Sequence, residues 1–143
     1  MHLMGLIDTL TSQTEFQERL KAIADRTPWH IIRSARPFVA AALAQVWDAP
    51  VIYITARIKR SYDVTGQLPV WLGEDVPIYR FGEPAAQFYE RAPWGESAIR
   101  SRVETLHALA QSDALSAQPV IVTSARALLQ RTLPYQNFKA ATL

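Results

Sequence analysis

Cysteine is absent from the 143 residues, which excludes disulfides and thiolate metal sites. Glycine is scarce. There are five in all, and none lies between Gly5 and Gly66. A phosphate-cradling loop in that interval would lack the residue that lets backbone N–H groups wrap an anion. The three histidines, His2, His30 and His107, share no metal-ligand spacing, and no HExxH, GxSxG or nucleophile–histidine signature occurs. The longest apolar run, Phe38 to Val46, is too short to span a bilayer and contains Gln45. Met1 to Leu10 has no basic residue ahead of its apolar ones and carries Asp8, so it does not read as a secretory signal. A cytoplasmic protein without membrane contact is therefore expected. Strong charge of one sign is also missing. The net charge of +2 permits contact with nucleic acid without arguing for it.

What is present is a globular balance of 49% hydrophobic and 20% charged residues, enough for one packed domain. Ser12 and Glu15 form a capping-box pattern ahead of Phe16, Leu20 and Ile23, which predicts a helix over 13–25. Pro28 ends it. Trp29–Arg33 is a short strand candidate. Pro37 suits the first turn of a helix whose stripe is Val39, Leu43, Val46 and Trp47. After Asp48-Ala49-Pro50, the run Val51–Thr55 reads as a strand covered on both faces. A helix over 56–68, interrupted near Thr65-Gly66, precedes a strand at 77–81. Gly82 to Glu96 is a long connection, and Ser97 is a candidate cap for a helix with Ile99, Val103, Leu106 and Ala110 on one face. Arg100 and Glu104 stand four apart on another face. A strand at 119–122 and a helix at 124–131 complete the pattern. The β-α alternation predicts an α/β fold of three layers, with a mostly parallel sheet and helices on both sides. Residues 12–143 form one domain in this reading, and 1–11 are an extension.

Sites of such folds lie at the carboxyl ends of the strands. The first such turn is Arg33-Ser34-Ala35-Arg36-Pro37. It has no glycine, no lysine for the phosphate charge and no Ser/Thr placed for magnesium. No Asp-Glu pair follows an apolar run, and Glu74-Asp75 falls in a probable loop. No catalytic residue, metal site or cofactor is expected in this segment, so it is not read as an enzyme. The other strand ends offer Thr55, Arg57 and Lys59, then Thr123, Ser124 and Arg126. A hydroxyl at a helix N-terminus holds phosphate well, so these six are candidate nucleic-acid or partner contacts. The simpler reading is that Thr123 or Ser124 caps a helix while the cations are solvated. Trp71 and Trp94, near loops, are either partner-facing anchors or covers for the sheet edge.

Two stretches carry a family resemblance. Ser101-Arg102-Val103-Glu104-Thr105-Leu106 and Ala127-Leu128-Leu129-Gln130-Arg131 occur in order, with Pro119-Val120-Ile121-Val122 between them. Together with Ala44-Gln45-Val46 and Pro50 to Ile54, they resemble the N-terminal region of the bacterial transcription-repair coupling factors (Mfd). That region is itself similar to the first domain of UvrB. The resemblance spans about residues 10 to 143. It implies a RecA-like, P-loop-NTPase-like fold with a degenerate phosphate loop. UvrB keeps an intact loop, whose lysine and threonine align with Ala35 and Arg36, and it carries a long β-hairpin for which Gly82–Ser97 looks too short. Both departures favour the coupling factors. The resemblance further implies a longer parent that uses ATP and magnesium in a separate motor domain to translocate on DNA. The parent would displace stalled RNA polymerase and recruit UvrA for nucleotide excision repair. This segment would then be a catalytically silent domain packed against the parent's other domains. Thr123–Gln130 also looks like a strand-to-helix motif of superfamily-two helicases. That likeness leaves a nucleic-acid-binding module as the alternative.

Overall fold

The computed structural model describes residues 3–83, 94–112 and 117–142. Part of the long connection after Gly82, and part of the loop before Pro119, lie outside the described residues. The chain order is α1 (Met4–Thr11), α2 (Thr14–Lys21), a 3-10 turn (Ala22–Asp25), α3 (Arg36–Val46), β1 (Val51–Thr55) and α4 (Ile58–Leu72). It continues with β2 (Ile78–Phe81), α5 (Glu96–Ala110), β3 (Val120–Ser124), α6 (Ala125–Leu128) and α7 (Tyr135–Thr142).

The three strands form one open parallel sheet in the order β1-β3-β2. Val51 pairs with Val120 and Ile78 also pairs with Val120, so the last strand in sequence is the middle one. Strand alternation then sorts the side chains. Val51, Tyr53, Val120, Val122 and Ile78 meet α1, α2, α3 and α4 in the larger core, with Ile7, Phe16, Val64, Leu68 and Leu72. Phe81 and Ile121 point the other way and pack with Ala127, Leu106 and Leu109. A parallel sheet with helices on each side is thus present at the coarse level expected.

Several local expectations change. Trp29–Arg33 is not a strand, because residues 27–32 have no regular structure. Trp29 turns instead onto Phe16 of α2, edge-on with centroids 5.8 Å apart, and Ile32 is left 73% exposed. The segment is drawn to the helices rather than to the sheet, and the outer edge of β1 is not paired with any described strand. β1 is therefore not covered on both faces: Ile52 is 50% and Ile54 56% exposed.

The buried side of α3 is its alanine side, Ala40, Ala41, Ala42 and Ala44. Val46 and Trp47, expected in the stripe, face outward. Small residues let α3 approach its neighbours closely, and that closeness decides which face is buried. α4 runs through Gly66 and Pro69 to Leu72 and stops at Gly73, whose φ of 73° is left-handed and suits a glycine C-cap. In α5 the buried residues are Ala98, Arg102, Thr105 and Ala108, while Ile99 and Val103 are exposed. Gly95, not Ser97, is the residue before its first turn, and Arg100 pairs with Glu96 at 3.1 Å rather than with Glu104.

The capping box is not formed. Ser12 donates back to the Thr9 carbonyl at 2.9 Å at the end of α1, and Gln13 stands at the start of α2 without a side-chain cap. Residues 1–11, read as an extension, include α1, whose Ile7 is fully buried in the main core.

Candidate functional site

The carboxyl end of β1 opens into a cavity of about 970 Å³. The loop before α3 supplies one wall through Arg33, Ser34 and Arg36. The end of β1 and the first turns of α4 supply the other, through Tyr53, Ile54, Thr55, Ala56, Arg57, Lys59, Arg60 and Asp63. The cavity arises because α3 and α4 pack side by side and both begin at this end of the sheet. The structure thus joins two groups of residues that are 17 or more positions apart in sequence: the glycine-free turn and the end of β1 with the start of α4.

Charge is concentrated here. The chain has 15 Lys and Arg against 13 Asp and Glu. Five of the cations and one carboxylate, Asp63, line this cavity, so the remainder carries ten against twelve. Arg33, Arg36, Arg57 and Lys59 are exposed, and Arg60 is half-buried. None of the five forms an ion pair among the described residues, where the pairs are Arg19–Glu15 and Arg100–Glu96. Arg36 Nε donates to the Ile31 carbonyl at 3.3 Å, which fixes the stem and leaves the rest of the guanidinium available. Neither α3 nor α4 has a side-chain cap at its N-terminus. The first N–H groups of a helix have no intrahelical partner, and the helix dipole adds positive potential there.

The hydroxyls expected at the site are turned inward. Thr55 is buried, and its hydroxyl lies 3.0 Å from the carbonyl oxygens of both Arg57 and Thr123. Thr123, fully buried, donates to the Phe81 carbonyl at 3.1 Å and so ties β3 to β2. Ser124 accepts from the Ala127 N–H at 3.1 Å as the cap of α6 and donates to the Glu83 carboxylate. Arg126 is half-buried. Thr123, Ser124 and Arg126 do not line the cavity with Arg57 and Lys59. Thr55 nonetheless stands beside Ser124, its pair across the ends of β1 and β3. Of the six candidate residues, Thr55, Arg57 and Lys59 line the same cavity as Arg33, Ser34 and Arg36. Ala35 and Pro37, the remaining residues of that turn, are respectively half-buried and buried.

One carboxylate, Asp63, lines the cavity with the five cations. No group of three or more His, Asp or Glu is placed to hold a metal among the described residues. No described helix is long and apolar enough to cross a membrane.

Sequence reading missed Arg102. It lies in the Ser101–Leu106 stretch, yet its side chain is buried, donates to the Gly82 carbonyl at 3.0 Å and to the Ala127 carbonyl at 3.1 Å, and stacks on Phe81 and Trp94. Trp94 is thus engaged by Arg102, and Trp71 by Phe38 at 5.0 Å between centroids. Both tryptophans are half-buried. No family model and no curated protein matches the chain.

Proposed function

We propose that this chain is a catalytically silent, UvrB-like α/β domain of a transcription-repair coupling factor. The observation that carries the reading is how the two family-like stretches meet. Ser101–Leu106 lies on α5, Ala127–Arg131 begins on α6, and Arg102 of the first bonds the carbonyl of Ala127 in the second. Residues that resemble the family's pattern are thus joined as one structural unit around β3. The parallel α/β layering suits a RecA-like ancestry. The inward use of Thr55, Thr123 and Ser124 suits a domain that holds shape rather than one that turns over substrate.

In this reading ATP and magnesium serve the parent's motor domain, which moves on DNA and displaces stalled RNA polymerase. The segment supports the neighbouring surface that recruits UvrA and packs against the parent's other domains. A cytoplasmic location follows from that role. A superfamily-two nucleic-acid module that uses the loops after the strands is less well supported, because the hydroxyls of Thr55, Thr123 and Ser124 are spent on internal hydrogen bonds.

The test is a graft. Placing this chain in the equivalent position of a characterised coupling factor should preserve UvrA recruitment and polymerase displacement. A folded graft that loses UvrA recruitment overturns the reading.

A further inference from the structure

The cleft at the end of β1 has a property that the domain reading does not use. Five cations converge on it with one carboxylate among them, while the rest of the chain is net acidic. We propose that it is a metal-independent site for adjacent phosphoryl groups, supplied either by a nucleic-acid strand or by a free oligophosphate.

Three observations point to phosphate. Four of the five cations are arginines, whose planar forks match phosphate oxygens in pairs. Arg33 and Arg36 come from the loop before α3 and Arg57, Lys59 and Arg60 from the start of α4, so an anion of more than one phosphoryl group would contact cations from both segments. The starts of α3 and α4 lie on the same cavity without side-chain caps, and the positive ends of their dipoles favour an anion there even though Pro37 leaves α3 one N–H fewer. The cavity, about 970 Å³, is at the large end for a small ligand. Arginines here perform the charge neutralisation that lysine and magnesium perform in a working phosphate loop, so binding needs no metal and leads to no hydrolysis. Mutual repulsion among the five cations is relieved when the anion binds. The proposal concerns the cleft alone and does not depend on the coupling-factor reading.

The test uses the full chain in EDTA with two probes, a short fluorescent single-stranded DNA and inorganic tripolyphosphate. At about 50 mM salt the DNA should bind, and its affinity should fall steeply by about 200 mM. Arg36→Ala with Arg57→Ala should weaken binding by roughly tenfold or more, as expected for two lost charge-assisted contacts. Arg131→Ala and Lys21→Ala, outside the cleft, should leave it unchanged. Asp63→Asn should tighten binding by about twofold to tenfold, because it removes the carboxylate that opposes the anion. Displacement of the DNA by tripolyphosphate shows that free phosphate suffices. DNA binding that resists displacement assigns the site to strand phosphates. Absence of binding by both probes at low salt overturns the proposal. So does loss that is equal in the cleft and control variants, or tighter binding of poly-glutamate than of either probe.

Discussion

The guanidinium of Arg102 stands 3.9 Å from the centroid of the Phe81 ring and fastens α5 to the end of β2. From that position it reaches two backbone carbonyls, of Gly82 and of Ala127, on elements that are otherwise separate in sequence. Burial pushes its pKa below the ordinary guanidinium value by desolvation. The folded state therefore holds this proton less tightly than the unfolded chain does. Stability from this source rises with pH only in strongly alkaline solution, so the charge is retained at neutral pH.

Replacing Arg102 by Met keeps the apolar stem and deletes both hydrogen bonds. The Gly82 carbonyl left unpaired costs about 1–3 kcal/mol, while the Ala127 carbonyl keeps the Gln130 N–H at 3.3 Å, so the urea midpoint should fall clearly. Arg102→Lys should not restore it, because an ammonium has no planar face to stack on Phe81 and Trp94 while donating to the carbonyls. Equal stability of Arg102→Lys and the parent chain would show that charge alone matters here.

Gly82 is held by crowding. A Cβ there would lie 2.6 Å from Ser101 Oγ, which itself donates to the Ala98 carbonyl at 3.1 Å. Gly82→Ala should destabilise by about 1–3 kcal/mol through overpacking. Adding Ser101→Ala removes the obstructing oxygen and should recover part of the loss in thermal melts. A double variant less stable than the sum of the two singles would place the strain elsewhere.

Gly66 is different. It lies inside α4, is exposed, and a Cβ there meets nothing within 4 Å. Gly66→Ala should stabilise by about 0.5–1 kcal/mol, because glycine is a costly residue in a helix interior. The expected readout is a raised melting temperature with the same helical circular dichroism per residue.

Ile7 tests how far the domain extends toward its N-terminus. It is fully buried against the main core, and the Leu3 N–H donates to the Val70 carbonyl at 2.9 Å. Ile7→Ala should cost about 2–5 kcal/mol, the range for emptying a packed site. A loss below that of an exposed control such as Leu6→Ala would mean that α1 contributes nothing to the core.

Much of the architecture was legible. β1, β2, β3 and the helices after them announce themselves by β-rich runs alternating with longer periodic stretches. The faces were harder to read. Apolar spacing favoured Ile99 and Val103 in α5, yet Ala98, Arg102 and Thr105 are inside, because the helix packs close and a long arginine fills the remaining gap. Ser12 carried the signature of a helix start, but the helix before it had already claimed its hydroxyl. Trp29–Arg33 has strand-like composition, and only a tertiary partner, Phe16, diverts it. The turn Arg33–Pro37 and the basic residues near Arg57 were each visible in the sequence. Their meeting across one cavity was not, since it depends on α3 and α4 lying side by side.

The middle place of β3 governs when the domain can fold. Val51 must wait for Val120, and Ile78 for the same residue, before either outer strand gains a neighbour in the sheet. Such distant pairings are slow, because the chain between them must be ordered first. During synthesis β1 and β2 therefore emerge from the ribosome as unpaired strands. The sheet assembles only once residues up to Ser124 are clear of the exit tunnel, and nascent chains stopped short of Val120 would remain open to chaperones and proteases.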